Sequence, residues 1–328
     1  MNYRNLGKTG LSVSEIAFGC GPTGGGLLSG TSRDQEKLVG YALECGINIF
    51  DTAAIYGQGK SEENLGKALH KLKATPIIAS KVALELPDLT NIKQSVINSV
   101  EASLKRLRVD SIDLIQLHNR VGFRRAEKSN IGVGAQLTLA DVMDEQGVTE
   151  AFSTLRKQGK IKATGFTGFG GAATEITKLI ESNQFDSINV LFNLLNRSSM
   201  ASSLASHSAD DSENNDFEGI GLCASENGMG VLSIRVLAAG NLINFQQTKG
   251  SELTKFKKIK LQQALKRAGF NTGPELAMLA IRFAFSCPEI ASLVIGFSDS
   301  TQIQAAVMAG REGKFSEYEY ISLLNSDI

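Results

Sequence analysis

The 328 residues carry 34 acidic and 34 basic side chains, so the formal net charge at pH 7 is zero. With no basic field, nothing in the charge favours nucleic acid as a partner. No apolar run reaches the roughly 18 residues that a membrane-spanning helix needs, and the polar first residues do not resemble a secretory signal. We therefore expect a soluble cytoplasmic protein with no membrane partner.

Short apolar runs recur along the chain, and an amphipathic helical stretch follows most of them. Eight strands are predicted, at residues 15–19, 47–50, 76–80, 113–117, 161–166, 188–192, 230–234 and 293–295. Helices are predicted at 32–45, 61–72, 92–107, 150–158, 173–182, 218–227, 274–286 and 300–309. Eight strand–helix alternations predict a parallel sheet closed into a (β/α)8 TIM barrel, which we expect to form one domain over residues 1–328.

Four other segments depart from this alternation. Residues 3–14 alternate around glycines and predict a small β-hairpin that caps the bottom of the barrel. Residues 119–149, 197–216 and 241–270 are long connections, each following a predicted strand. Because loops that follow strands lie on the C-terminal face of a barrel, we expect all three to shape access to a site there.

Four polar side chains stand at or just after consecutive strand ends: Asp51, Tyr56, Lys81 and His118. Together they make a proton-transfer set, because a nearby ammonium lowers the pKa of a tyrosine, which is ordinarily near ~10. Asp51 would hold Lys81, and His118 would hydrogen-bond a substrate oxygen. Nothing in the sequence shows metal-ligand spacing or a nucleophile beside its base, so we expect no metal.

Each of the four residues also has an ordinary structural explanation when taken alone. A strand-end aspartate is often a helix cap, a tyrosine is often packing, and a histidine is often a satisfied structural group. An unrelated barrel using Lys81 as a Schiff base is a further alternative. It is disfavoured because a lysine beside a carboxylate stays protonated.

The chain resembles the aldo-keto reductase family over nearly its whole length. The resemblance rests on GINIFDTAAIYG at 46–57 with SEENLGKAL at 61–69, IIASK at 77–81, SLKRLRVDSIDLIQLH at 103–118, and GKIKATGFT at 159–167. It implies a barrel that binds a nicotinamide cofactor without a Rossmann domain. In keeping with that, no G-x-G-x-x-G follows a strand with an acid downstream, and we interpret the glycine-rich stretch 21–26 as a loop rather than a phosphate cradle.

The resemblance assigns roles to the four strand-end residues. Tyr56 would be the general acid that protonates the carbonyl oxygen as hydride arrives. Lys81 would lower the pKa of Tyr56, Asp51 would hold Lys81, and His118 would orient the carbonyl. By the same resemblance the cofactor-binding residues would be Gly19, Cys20, Asp51, Thr167, Asn189, Arg235, Leu237, Gly240, Gly296, Ser298, Ser300 and Gln302.

Several cofactor positions depart from what the family often has. Thr167 and Gly168 stand in place of Ser-Asn, so the hydroxyl is kept and the amide is lost. Asn189 stands in place of a longer Gln, and Ile234 in place of the Tyr that would stack on the nicotinamide. Arg235 follows, and its guanidinium suits the cofactor's pyrophosphate.

The loop at 296–302 bears on the choice of cofactor. In the family it usually carries a basic residue for the 2′-phosphate of NADP, but here it has none. Ser298, Ser300 and the following helix start can still hold a phosphate, whereas Asp299 would oppose it or bind a ribose hydroxyl. Residues 305–306 are alanines where the family often has Glu-Asn. NADP(H) is the first expectation from the resemblance, and NAD(H) is the alternative.

The expected function is interconversion of an aldehyde or ketone, sugars included, and its alcohol, in a monomer or small homo-oligomer. One alternative is an NAD-dependent aldose or sugar dehydrogenase. Another is a nucleotide-binding regulatory subunit with little turnover, which the altered cofactor positions keep open.

Overall fold

Eight parallel strands form a closed barrel in this computed structural model, which describes residues 1–126, 128, 133–201, 216–243, 252–267 and 276–324. The barrel strands are β3 (Ile16–Gly19), β4 (Ile49–Asp51), β5 (Ile77–Val82), β6 (Ile112–Leu117), β7 (Ile161–Thr167), β8 (Ser187–Leu191), β9 (Gly230–Ile234) and β10 (Ile290–Gly296). They pair in chain order, and β10 pairs with β3 to close the ring. The predicted (β/α)8 barrel is confirmed. The last strand is longer than predicted.

Helices surround the barrel, and most were predicted to within a few residues. They are α1 (Ser32–Glu44), α2 (Lys60–Leu72), α3 (Ile92–Leu107), α4 (Leu139–Met143), α5 (Val148–Lys157), α6 (Ala173–Glu181), α7 (Ile220–Glu226), α8 (Glu252–Arg267), α9 (Leu276–Ser286), α10 (Ser300–Arg311) and α11 (Glu317–Leu324). The sequence did not predict α4 or α11, and α8 lies within the lysine-rich segment 241–270. Residues 274–275, expected to begin a helix, lie outside the described part of the chain.

Local sequence explains where the helices begin and which face they bury. Thr31 and Asp34 form a reciprocal capping box that starts α1, since each side chain accepts a hydrogen bond from the other's backbone amide. In α3, Val96, Val100 and Leu107 are buried along one face. This helical spacing turns the apolar stripe towards the strands and leaves the polar face in water.

The hairpin of β1 (Tyr3–Asn5) and β2 (Ser12–Ser14) plugs the bottom of the barrel, as predicted. Leu6 between the strands is fully buried in the cluster that fills the barrel floor. Gly7 has φ +51°, and a Cβ there would lie 2.2 Å from the backbone nitrogen of Gly230. The hairpin can pack this closely only because position 7 has no side chain.

Arg4 connects this hairpin to the segment between α9 and β10. Its guanidinium donates to the backbone oxygens of Phe285, Cys287 and Ile290, and it pairs with Glu15 at 2.8 Å.

Among the described residues, no helix is both long and apolar enough to cross a bilayer.

The connection after β6 is partly structured near its two ends. Asn119 is fully buried. Its Oδ1 atom accepts a hydrogen bond from the backbone amide of Leu84, and its Nδ2 atom donates to the backbone oxygens of Leu84 and Ala135. Val121 pairs with Leu137 in an isolated bridge. Most of 197–216 falls outside the described residues, whereas the segment 241–270, which we expected to be partly helical, contains α8.

Candidate active site

A cavity of about 610 Å³ opens at the C-terminal ends of the strands. The predicted residues that line it are Gly19, Asp51, Tyr56, Lys81, His118, Thr167, Asn189, Arg235, Leu237, Gly240, Gly296, Ser298 and Gln302. Cys20 and Ser300 are not among its lining residues in the described chain. Cys20 is buried beside the cavity, and burial raises the pKa of its thiol well above the usual value. Ser300 is exposed at the start of α10.

Asp51 and Lys81 form a buried ion pair at the floor of this cavity. Asp51 ends β4 and Lys81 lies in the neighbouring strand β5, so the sheet itself brings them together. The ammonium donates to Asp51 Oδ1 and to the backbone oxygen of Thr52 at 2.9 Å. Burial lowers the pKa of Lys81, but Asp51 and Tyr56 outweigh burial and raise it above the usual value. Lys81 therefore stays protonated, which argues against a Schiff-base role.

Tyr56 lies above this pair on the turn between β4 and α2. The Lys81 Nζ atom is 5.2 Å from the centroid of its ring. Burial raises the pKa of the Tyr56 hydroxyl, Lys81 lowers it, and the net pKa lies above the usual value. The expected lowering by Lys81 is present, but burial is the larger effect because the ring is enclosed. Tyr56 is thus a neutral hydroxyl at physiological pH, the form that can donate a proton.

His118 stands edge-on to Tyr56, with ring centroids 5.7 Å apart at an angle of 81°. Its backbone amide donates to Val82 at 2.8 Å, which fixes the residue at the end of β6. Burial, with a contribution from Lys81, lowers the pKa of the imidazole to about 3. The Nδ1 atom is buried and has no hydrogen-bond partner among the described residues. His118 is therefore a neutral group available to hydrogen-bond a ligand in the cavity.

The low pKa of His118 predicts a flat pH profile for reduction on the acid side. We expect kcat/KM to hold steady from pH 5 to pH 9, with no inflection near the ordinary histidine pKa of ~6.5, because His118 stays neutral and Tyr56 stays protonated. Initial rates across this range, with enzyme integrity checked at each pH, provide the measurement. An acid limb near pH 6.5 that disappears in His118→Asn would contradict the assignment.

The low pKa of His118 also predicts how the stability of the folded protein depends on pH. Between pH 6.5 and 3 the unfolded chain binds a proton at this histidine that the folded chain does not, so the free energy of unfolding falls as the pH falls. Urea unfolding at pH 6.5 and 5 should show a larger loss in the wild-type protein than in His118→Asn, by up to ~1.4 kcal/mol per pH unit. Equal losses in the two proteins would count against a buried neutral His118.

Two buried amides pair beside the cavity, and only Asn189, which lines the cavity, was predicted. Gln116 Nε2 donates to Asn189 Oδ1 at 2.7 Å, and Asn189 Nδ2 donates to Gln116 Oε1 at 3.2 Å. Both side chains are fully buried. The shorter Asn189 is therefore held by Gln116 and does not extend alone into the cavity. Gln116 lies within the motif at 103–118, but nothing local in that motif indicates a pairing with Asn189, 73 residues further along the chain.

Gly168 does not leave room for the amide that the family often has at this point. A Cβ there would lie 2.8 Å from Ile220 Cδ1 and 3.0 Å from Ile188 Cδ1. The aliphatic side chains have filled the space, so the departure noted in the sequence is matched by local packing.

The loop after β9 follows an unusual backbone path. Arg235, Ala238 and Ala239 have φ values of 57°, 47° and 52°, a region that non-glycine residues seldom adopt. Such conformations persist where the surrounding structure requires them, often beside a ligand. Together with Leu237 and Gly240, the loop lines the cavity.

The glycine-rich stretch 21–26 packs against the loop after β10. A Cβ on Gly24 would lie 2.4 Å from the carbonyl carbon of Gly296, and one on Gly296 would lie 2.7 Å from the backbone nitrogen of Gly24. Close packing of two loops thus explains glycine at these positions and agrees with the interpretation of 21–26 as a loop.

Asp299 is the N-cap of α10. Its carboxylate accepts from the backbone amides of Thr301 at 2.9 Å and Gln302 at 3.1 Å. The Thr301 hydroxyl and these amides hold the pKa of Asp299 below its usual range, so the carboxylate stays charged. It occupies the helix amides that a phosphate would otherwise use.

A family model described as the aldo/keto reductase family matches residues 15–325. The chain belongs to the aldo/keto reductase family. The L-galactose dehydrogenase of Arabidopsis thaliana is 26% identical over 316 residues, which is 95% of this chain and 89% of that protein. An uncharacterised oxidoreductase of Bacillus subtilis, YqkF, is 29% identical over 204 residues, spanning 60% of this chain and 58% of that relative.

Among solved structures, the holo form of aldo-keto reductase AKR11C1 from Bacillus halodurans superposes with a TM-score of 0.75 at 25% identity. The match covers 98% of this chain and 95% of that one. This aldo/keto reductase is accordingly an NAD(P)-dependent oxidoreductase that acts on carbonyl and alcohol groups of small molecules.

The described residues fit a nicotinamide dinucleotide in most respects. The cavity extends from Tyr56 past Thr167 and the Arg235–Gly240 loop to Gln302, so one continuous space joins the Tyr56 side chain to the α10 start. The fit to a dinucleotide is poorest at the start of α10, where the Asp299 carboxylate would repel a 2′-phosphate.

Proposed function

We propose that this aldo/keto reductase reduces a small aldehyde or ketone, with Tyr56 as the general acid. The observation that carries the proposal is the convergence of Tyr56, His118 and the buried Asp51–Lys81 pair in one cavity. The nicotinamide supplies the hydride when bound. The chain's own residues supply the rest: His118 donates a hydrogen bond to the carbonyl oxygen, and the Tyr56 hydroxyl donates its proton to that oxygen.

Lys81 then stabilises the phenolate that the proton transfer leaves behind. Its ammonium is 5.2 Å from the ring centroid, and Asp51 keeps it charged and in place. Because Lys81 and Asp51 are themselves buried, the charge of Lys81 acts on the phenolate with less screening than it would have in water. Running the same steps in reverse oxidises an alcohol, with Tyr56 as the base.

The proposal is tested by fluorescence titration with NADPH and NADH, followed by turnover of a panel of aldehydes and ketones. Binding of either nucleotide and measurable turnover is the expected result. Tight binding without turnover across the panel would favour the regulatory-subunit alternative. Failure to bind either nucleotide would remove the basis for assigning a role to Tyr56.

For the cofactor we propose that the N-cap of α10 favours NAD(H), which keeps the sugar-dehydrogenase alternative open. Asp299 presents a charged carboxylate in the loop that usually carries a basic residue in the family, and the described cavity lining between Gly296 and Gln302 has no cation. The similarity to a relative named L-galactose dehydrogenase supports the same alternative. We keep a cytoplasmic location and a monomer or small homo-oligomer as part of this proposal.

Asp299→Asn should raise the affinity for NADPH relative to NADH by about 3- to 10-fold, since it removes a like charge from the helix start that would hold the 2′-phosphate. Asparagine is also a good N-cap, so α10 should stay intact. The ratio of the two dissociation constants is the measurement. Asp34→Asn, at the start of α1 and outside the cavity, is the matched control. An unchanged ratio in Asp299→Asn would show that Asp299 does not affect how the protein distinguishes the 2′-phosphate from the 2′-hydroxyl of the adenosine ribose.

A further inference from the structure

Arg120 is a charged residue of the cavity whose side chain has no part in the chemistry above. It follows His118 by two positions and lines the cavity, and its side chain is partly buried. The Nε atom is buried and has no hydrogen-bond partner among the described residues. A buried guanidinium donor without an acceptor is costly for a protein to keep, and a bound ligand can supply the acceptor that the described residues do not.

The backbone around Arg120 is held on both sides. The oxygen of Arg120 accepts from the amide of Leu137 at 2.9 Å, and the neighbouring Val121 oxygen accepts from Ala172 at 2.9 Å. On the other side, the buried amide of Asn119 anchors the chain to Leu84. Arg120 is therefore presented to the cavity from a fixed point.

The guanidinium itself rests on a defined surface. Its Cζ atom is 5.9 Å from the centroid of the Phe169 ring, a cation–π distance. A Cβ on Gly170 would lie 2.6 Å from the Arg120 Nε atom, so this glycine gives the side chain its place. Stacking on a ring leaves the edge of a guanidinium free for a bidentate acceptor.

The charge of the cavity points in the same direction. Asp51 is the one acidic residue among the described lining residues, and it is already paired with Lys81. His118 is neutral. Arg120 thus adds a positive charge that no described carboxylate of the cavity balances, in a chain whose overall charge is zero.

We propose that Arg120 binds an anionic group of the substrate, a carboxylate or a phosphate, while Tyr56 and His118 hold its carbonyl. This rests on the proposed function and names the substrate class: short carbonyl compounds that carry an anion. Two successive residues advance the backbone by at most ~7 Å, so Arg120 and His118 serve the two ends of a small molecule. A planar guanidinium suits both anions because it binds either through two parallel hydrogen bonds.

The experiment compares matched substrates that differ in the anion. Succinic semialdehyde is paired with butanal, and glyceraldehyde 3-phosphate with glyceraldehyde. Each is assayed with wild-type protein, Arg120→Met, Arg120→Lys and the control Arg124→Met. Arg124 is exposed on the same connection and does not line the cavity. Thermal unfolding verifies that each variant is folded, and NAD(P)H titration verifies that it binds cofactor.

We expect wild-type protein to prefer the anionic member of at least one pair. Arg120→Met should raise the KM for that member about 10- to 100-fold, as expected for the loss of a charge-assisted hydrogen bond. Its KM for the neutral member and its dissociation constant for the cofactor should stay within about twofold of the wild type. The Arg124→Met control should stay within the same range for every substrate. Arg120→Lys should recover part of the loss. The preferred pair distinguishes carboxylate from phosphate.

Three results would overturn the proposal. The first is equal wild-type use of charged and neutral members, unchanged in Arg120→Met. The second is a rise in the cofactor dissociation constant in Arg120→Met, which would assign the guanidinium to the cofactor's phosphates. The third is the absence of anion binding. In calorimetric titrations of the nucleotide-bound protein, succinate or glycerol 1-phosphate should bind to the wild type and bind more weakly to Arg120→Met. If neither anion binds to the wild type, the site is overturned. If these anions bind through Arg120 but no carbonyl compound is reduced, the anion site stands and the proposed reductase function fails.

Discussion

Tyr56→Phe is expected to lower kcat for carbonyl reduction by at least ~100-fold, within the range typical of losing a general acid. The phenyl ring keeps the edge contact with His118 and the cation–π contact with Lys81. Only the hydroxyl group is removed, so the dissociation constant for NAD(P)H should change little. Single-turnover rates and fluorescence titration on the same preparation measure the two effects separately.

The matched control is Tyr318→Phe, whose side chain is exposed on α11 far from the cavity lining. It should keep wild-type turnover. A Tyr56→Phe protein that keeps substantial kcat would show that another group donates the proton. A wild-type protein that binds nucleotide tightly and turns over no better than Tyr56→Phe would support a binding role without catalysis.

Arg106→Met should cost about 3–5 kcal/mol of unfolding free energy, the usual cost of removing one partner of a buried ion pair. Glu62 is fully buried at the start of α2, and its carboxylate accepts from Arg106 Nε at 2.7 Å and from the Ser80 hydroxyl at 2.5 Å. Without Arg106 the carboxylate would lie in the interior with a single hydroxyl as partner. Urea unfolding at neutral pH, followed by circular dichroism, gives the difference.

The neighbouring pair Lys60–Glu63 provides the control, since it lies on the same helix but its lysine side chain is 64% exposed. Lys60→Met should cost no more than ~1 kcal/mol. If Arg106→Met cost no more than Lys60→Met, water would have to reach Glu62 in the folded protein, and the helix start would be less tightly packed than described.

The barrel and the four catalytic candidates were predictable because both follow from periodicity. Parallel strands place their C-terminal ends at one face, so Asp51, Lys81 and His118, each at or near a strand end, must converge. The N-terminal plug followed from glycines and alternation. In each case a local pattern fixed the outcome, and no distant contact was needed.

The remaining features depend on contacts between distant parts of the chain. Gln116 pairs with Asn189, and Arg120 lies against Phe169, yet nothing local marks either pair in the sequence. The left-handed backbone at Ala238 and Ala239 runs against the preference of alanine and is imposed by surroundings that the sequence does not reveal. Helix α11 is only eight residues long, and the strand–helix count was already complete without it.

The pairing of β10 with β3 also has a consequence for how the protein is made. Gly19 and Gly296 are register partners on this seam, and both line the cavity. A ribosome that has released only the earlier strands carries an open sheet with two unpaired edges, the kind of intermediate that invites aggregation and needs chaperones. Nucleotide binding at this cavity therefore becomes possible only after β10 has been synthesised, so captured nucleotide would report that the ring has closed.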